Sequence, residues 1–369
     1  MGIRLTKTCV LDPPSIDAWI SAIGVHLSLA IFLQVPIGVC LYYVIRHAPS
    51  LKKSVALSMG ILAASLMMVI PFDSFNHPWM ALFLASSAGF SIFFKCVAVA
   101  FDQLPPEVNL SLFNHVYFTV ALPEPICAKW KFLQASLYER LARLKYFCFK
   151  IVGLCLLLSV LDKLKRRVAF NDTESSIYLV LLRGFLHVWF VYLFISFCLD
   201  FGALATSGMT GVSAQPGFRN PLFESRSLRE AWGTRWNLPV HTLLKRSVYI
   251  PARKAGFGRA AASIAAFVVS GLLHEYTFAI HNAEFYEPGK ATLFFILMGC
   301  VVLAEDWIHT SCSFLIPSWT KHVPSPLICM FLVLCVAAGP IEPLFIKSWV
   351  EAGAIEAVTE LLPVVICND

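Results

Sequence analysis

Charge is what this sequence has least of. Only 14% of its 369 residues are charged, 58% are hydrophobic, and mean hydropathy is +0.71. Soluble domains carry about 25% charged and about 45–50% apolar residues, so a water-soluble globule is excluded. Linkers are missing too. No Gly/Ser tract, low-complexity block or internal repeat divides the chain, which reads as a single membrane-embedded domain, 1–369. No C-x-x-C pair occurs among the 12 Cys, so neither a zinc site nor a thioredoxin-like site is suggested, and no metal is expected. Cys40, Cys96, Cys155, Cys198, Cys300 and Cys335 lie inside apolar runs and read as small packing residues. A cleavable signal peptide is not expected, because Arg4 and Lys7 precede a run from Ile16 to Ile45, far beyond a short apolar core. No nucleic-acid partner is expected either.

What is present is a series of continuous apolar runs. A helix needs roughly 20 apolar residues to cross a bilayer, and in lipid every backbone polar group must be bonded internally. Barrel strands would alternate polar and apolar positions, whereas these runs do not, so the expected class is all-α, a polytopic integral membrane protein. About eight transmembrane helices are predicted, near 17–45, 54–71, 78–100, 146–161, 177–200, 259–280, 291–309 and 325–346. The fourth is short and reads either as a tilted span or as a re-entrant segment.

Lys and Arg mark cytoplasmic loops. Arg46, Lys52 and Lys53 put the first loop in the cytosol and the N-terminus on the far side. The acidic C-terminal tail, with Glu351, Glu356, Glu360 and Asp369 against Lys347, suits the far side as well. Lys163, Lys165, Arg166 and Arg167 break the pattern. They fall on the far side if all eight spans cross, and a re-entrant fourth segment would invert everything after it.

Residues 201–258 differ from the rest as a long polar, motif-bearing loop and amphipathic segment. From Arg219 to Arg259 nine basic residues stand against Glu224 and Glu230. A surface of one sign attracts anions, and either cofactor phosphates or lipid head groups would suit it. Trp232, Arg235, Trp236 and Asn237 lie in this loop, followed by His241 and Arg246. By composition alone the tryptophans read equally well as an interfacial anchor. In the next span Ser270, His274, Thr277 and His281 recur at helical spacing, making one polar stripe on an apolar helix. Ionisable groups inside a membrane are costly and usually face a cavity or the bundle interior. Glu275 points elsewhere on that helix and is expected to pair with another span. His26 and the Arg183/His187 pair read as interior contacts, and Glu305, Asp306 and His309 as possible lining of a cavity.

The pattern N-P-L-F-E-S-R-S-L-R-E-A-W-G-T-R-W-N (220–237) followed by V-S-G-L-L-H-E (269–275) resembles the membrane-bound O-acyltransferases, most closely the wax synthase branch of plants and algae. W-N-L-P-V-H (236–241) and R-S-V-Y-I-P (246–251) also resemble the diacylglycerol and sterol acyltransferase branch. Ala231, Thr234, Leu243 and Ser247 depart from one or other pattern, which leaves the acceptor open. The resemblance implies helices around a buried reaction chamber, fatty acyl-CoA as co-substrate with no permanently bound cofactor, a lipid alcohol as acceptor, and the endoplasmic reticulum as location. It also implies that His274 is the catalytic histidine and Asn237 the second signature residue, with Trp232, Arg235, Trp236, His241, Arg246 and Ser270 as candidates for binding substrate or acyl-CoA.

Ester formation from a thioester needs an activated hydroxyl and a place for charge on the carbonyl oxygen. Histidine, with an ordinary pKa of about 6.5, suits the first task, and the Asn237 amide would suit the second. No Cys has a neighbouring His at a spacing that argues for a covalent route. Diacylglycerol, sterol or terpenoid acceptors stay open, as does, in a different class, a lipid or small-molecule transporter. Transporters often show two similar halves, and no such symmetry is visible.

Overall fold

The computed structural model describes residues 9–12, 15–69, 78–167, 177–281, 287–311, 354–362 and 364–367. It is an all-α bundle. α1 (Ile16–Leu29) and α2 (Val35–His47) form one long rod through a π-helical turn at Ala30–Gln34. α3 (Lys52–Val69) returns beside α4 (Pro78–Ala100), where Ala56 and Ala63 are buried and Gly60 sits close to Cys96. Small faces of this kind let helix backbones approach.

The segment after α4 carries α5 (Leu112–Val120) and a hairpin of β2 (Cys127–Ala128) and β3 (Lys131–Phe132). Lys129 and Trp130 turn the hairpin with φ of 51° and 66°, as a two-residue turn between right-twisted strands requires. Next come α6 (Leu137–Arg167) and α7 (Ile177–Thr210). Four short helices follow, α8 (Pro221–Glu224), α9 (Leu228–Glu230), α10 (Leu238–Leu244) and α11 (Ile250–Lys254), with π-helical turns at Ala231–Arg235 and Lys245–Tyr249. α12 (Arg259–His281) packs on α13 (Lys290–Ser311). α14 (Ala354–Thr359) leads to β4 (Val364–Cys367), which pairs with β1 (Cys9–Asp12).

Six helical stretches among the described residues are long and apolar enough to cross a membrane: Ile16–His47, Phe83–Ala100, Leu137–Leu161, Gly184–Thr210, Arg259–Ala279 and Lys290–Ser311. The protein is an integral membrane protein, but the expected count of eight is not reproduced. α3 has 18 residues, roughly 27 Å at 1.5 Å per residue, just under the ~30 Å hydrocarbon core. The run predicted at 325–346 lies outside the described residues.

Two boundaries need correction. The fourth predicted span, 146–161, belongs to a single 31-residue helix, which removes the reason to read it as re-entrant. Arg140, Arg143, Lys145 and Lys150 interrupt the hydropathy, yet Arg140 and Arg143 donate to the carbonyls of Ala135 and Ala214. Ser136 Oγ caps the helix by accepting from Glu139 N at 3.1 Å, and the S-x-x-E spacing is that of a capping box. Lys150 Nζ sits 2.6 Å from both Asp200 Oδ2 and Ser196 Oγ on α7. The polar loop also starts later than residue 201, because α7 runs on to Thr210. Thr206 and Thr210 donate to the carbonyls of Gly202 and Thr206 at 2.8 and 2.7 Å, so these hydroxyls are satisfied inside the helix.

The bundle has two distinct ends. At one, Arg46 donates to Asn109 O and Lys52 pairs with Asp102. There, isolated bridges join Pro125 to Ala214 and Gln134 to Val212, so the segments after α4 and after α7 form one polar cap. At the other end Ser15 N donates to Glu360 O at 2.7 Å and Trp19 Nε1 to Leu361 O at 2.8 Å, and β1 meets β4.

Candidate active site

α12 crosses α13 at a glycine. A Cβ at Gly271 would lie 2.6 Å from Thr292 Cα, so only glycine permits this approach. One turn on, Glu275 Oε1 accepts the Thr292 backbone N–H at 2.8 Å. Thr292 is in the first turn of α13, where N–H groups lack helical partners and negative charge is favoured. The expectation that Glu275 contacts another span is met here. The crossing sets Phe295 face to face with His274, centroids 4.4 Å apart and planes at 26°.

His274 Nδ1 lies 2.7 Å from the Ser270 carbonyl. A carbonyl only accepts, so Nδ1 carries the proton, and in the neutral ring the basic lone pair belongs to Nε2. Ser270 is buried, and it is its main-chain oxygen that makes this contact. Thr277 is also buried and donates to Leu273 O at 3.0 Å. The side chains of His26, Arg183 and His281 lie outside the described ones.

The motif loop reaches this histidine through aromatic rings. Trp236 packs edge-on against Phe218 at 5.2 Å and meets Trp232 at 5.7 Å. Trp232 in turn contacts Phe295 at 6.1 Å and Phe267 at 6.4 Å. Phe295 is thus shared by the motif tryptophan and His274. Asn237, next to Trp236, sits in the left-handed region (φ 38°, ψ 62°) before Leu238 and Pro239. Asparagine is among the few side chains that tolerate this conformation. Its Oδ1 is buried with no hydrogen-bond partner among the described residues, a costly state that a ligand would relieve.

His241 lies on α10, and burial together with the Lys245 cation pushes its pKa down, favouring the neutral ring. Beside it Leu243 and Leu244 pack with Leu273 and Phe94, which fastens α10 to α12 and α4.

Three of the nine basic residues are committed to carboxylates within the chain. Arg235 pairs with Glu230 and Glu224, both at 2.7 Å. Arg229 pairs with Asp306. Arg246 Nη1 meets the buried Glu124 Oε2 at 2.5 Å, a link between the segment after α4 and the motif loop that sequence reasoning missed. Asn220 and Arg235 hold the Glu224 carboxyl below its ordinary pKa. The Arg226 backbone N–H and Arg235 do the same for Glu230. Glu305 is engaged by the loop: its two oxygens accept the N–H groups of Leu228 and Arg229, each at 3.0 Å. It caps the first turn of α9 from another helix, while Ser227 Oγ caps Glu230 N at 2.9 Å from within. No signal along the sequence links Glu305 to residue 228 or Phe295 to His274, because both contacts depend on where α13 lies.

A profile of the membrane bound O-acyl transferase family matches residues 215–297, the stretch that holds the loop, α12 and the start of α13. Residues 215–297 therefore carry the sequence features of this family. Similarity to individual members is partial. A Probable long-chain-alcohol O-fatty-acyltransferase 9 of Arabidopsis thaliana is 31% identical over 173 residues, 44% of this chain and 50% of that protein. A Probable long-chain-alcohol O-fatty-acyltransferase 2 of the same plant is 36% identical over 124 residues, 31% of this chain and 35% of that protein. An Acyl-CoA--sterol O-acyltransferase 1, also from Arabidopsis thaliana, is 29% identical over 121 residues, 31% of this chain and 34% of that protein. The matched part thus spans half or less of each of these relatives. The matched stretch is the one in which Trp232 and His274 meet on Phe295.

Proposed function

We propose that this protein transfers a fatty acyl group from acyl-CoA to the hydroxyl of a lipid alcohol, most readily a long-chain fatty alcohol to give a wax ester. The observation that carries the reading is His274, with its proton placed on Nδ1 by the Ser270 carbonyl and its ring stacked on the residue that Trp232 also contacts.

In this reading Nε2 of His274 takes the hydroxyl proton as the alcohol oxygen attacks the thioester carbonyl carbon. The C–O bond forms, the carbonyl oxygen gains charge, and the C–S bond then breaks. The departing thiolate takes the proton from the imidazolium and leaves as free CoA thiol, so protons balance and His274 returns to its neutral form. The role assigned to the Asn237 amide is to donate its N–H to the developing oxyanion, a contribution of typically about 3–4 kcal/mol. Water excluded by the bilayer cannot compete as acceptor. Trp232 and Trp236 shape the wall that the acyl-CoA passes, and Ser270 acts through its carbonyl. Arg235, tied to two carboxylates, braces the loop, Arg246 ties it to the segment after α4 through Glu124, and α10, which carries His241, packs on α4 and α12. The 1–369 chain acts as one acyltransferase domain, with its polar cap in the cytosol, and the endoplasmic reticulum is the membrane we assign it.

A sterol acceptor is the second reading, favoured by the similarity to the Acyl-CoA--sterol O-acyltransferase 1. One assay tests both. The purified protein is given palmitoyl-CoA with a long-chain alcohol, a diacylglycerol or a sterol, and ester formation is followed. Ester appears with the preferred acceptor and is lost in His274→Ala. Substrate movement without any ester points to a transporter. Near-normal turnover in a folded His274→Ala removes the assigned base.

A further inference from the structure

Arg253, Lys254 and Arg259 fall close together at the end of the motif loop. All three are exposed, and none meets a carboxylate among the described residues. Between them stands Phe257, which is 58% exposed.

Local chemistry holds this phenylalanine out. α11 ends at Gly256, whose φ of 96° is a conformation that glycine adopts without steric cost. Gly256 N donates to Arg253 O at 3.2 Å and Phe257 N to Ala252 O at 3.1 Å, the paired bonds of a Schellman cap. Arg253 Nη1 also donates to Phe257 O at 2.6 Å, so one of the cations fixes the turn. In such caps an apolar residue at this position frequently folds back on the helix it ends. Phe257 instead stays largely exposed.

The turn runs straight into α12, with Ala262 N donating to Gly258 O at 3.0 Å, so it stands at the mouth of a spanning helix. Tyr276, toward the other end of α12, donates to Ala64 O at 3.1 Å and packs with Val25 and Leu29 of α1. α12 therefore starts at the end of the bundle that holds the polar cap, the end that the Lys/Arg rule puts in the cytosol.

We propose that this turn docks on anionic phospholipids of the cytosolic leaflet, with the three cations on the head groups and the Phe257 ring at the acyl boundary. Charge complementarity selects this occupant. The cytosolic leaflet is negative at its surface, and basic residues beside a spanning helix are drawn to it. A large apolar side chain beside cations matches the level at which head groups give way to acyl chains. The docking fixes the start of the helix that carries His274. It is independent of the acyl-transfer reading.

The test is photocrosslinking of the full chain. The protein is reconstituted in nanodiscs of equal parts phosphatidylcholine and phosphatidylserine, with the photoreactive p-benzoylphenylalanine in place of Phe257. After illumination the adducts are identified by mass spectrometry. The expected product is a lipid adduct in which phosphatidylserine exceeds phosphatidylcholine about fivefold. With Arg253→Gln, Lys254→Gln and Arg259→Gln added, both lipids are labelled equally. Coenzyme A added to the discs leaves the preference of the natural cations unchanged. Adducts to protein alone, equal labelling beside the natural cations, or a preference that survives their removal overturns the proposal. Loss of the preference on adding coenzyme A assigns the cations to cofactor phosphates and overturns it as well. Salt provides a readout that needs no charge variant: at about 1 M the preference should vanish, and its persistence there counts against the proposal.

Discussion

Replacing Gly271 with alanine places a methyl group where α12 crosses α13. The new Cβ meets Thr292 Cα at 2.6 Å and its Cβ and Cγ2 at 3.3 Å. Carbon atoms rest at roughly 3.5–4.0 Å, so the helices must part by about 1 Å. The nearest atom is backbone, and no rotamer change relieves the clash. Thr292 is also the residue whose N–H Glu275 holds, and Phe295, one turn later, carries the His274 ring. Overpacking of this kind costs about 1–3 kcal/mol, and a misplacement of about 1 Å at a reacting group costs on the order of 100-fold in rate. Gly271→Ala is therefore expected to lower turnover of palmitoyl-CoA with its alcohol about 100-fold, with a much smaller change in KM for the acyl donor. Phe295→Leu removes the stacked ring without touching the crossing and is expected to lower turnover in the same assay, which keeps the reasoning testable if the alanine variant misfolds. A folded Gly271→Ala protein whose turnover stays within about threefold of the natural chain refutes the idea that this close crossing positions His274.

Two other outcomes follow from the loop. Glu305→Ala removes the acceptor for Leu228 and Arg229 N–H and should cost about 1–2 kcal/mol of loop docking, read as faster amide exchange over 228–232, with Glu305→Gln intermediate. Glu224 and Glu230 are held below their ordinary pKa. Their contribution to loop order is therefore present above the unfolded value of about 4.3 and is lost as pH falls through the lowered folded values. Proteolysis of the 219–235 loop should rise only in that acid range, and Arg235→Gln should make it susceptible at neutral pH.

Much of this protein was decided by local chemistry. Lipid offers backbone groups no partner, so long apolar runs dictated helices. The S-x-x-E spacings at Ser136–Glu139 and Ser227–Glu230 announce helix starts that the structure uses. The pairing of W-G-T-R-W-N with S-G-L-L-H-E carried the resemblance to the family, and both motifs lie in the matched stretch. Other features belonged to the tertiary structure alone. Hydropathy ends the fourth span at Lys145, whereas α6 begins at Leu137, and Lys150 is neutralised by Asp200 on another helix. Arg235 and Arg246 look alike as loop cations, and only the packed chain shows which carboxylates they meet. The proton on His274 Nδ1, the ring beneath it and the pairing of β1 with β4 likewise join residues from separate turns, helices or strands. Periodicity along a chain reports neighbours within a turn or two. Partners brought together from remote segments are set by how the helices cross, and a glycine at one such crossing determines where the histidine rests.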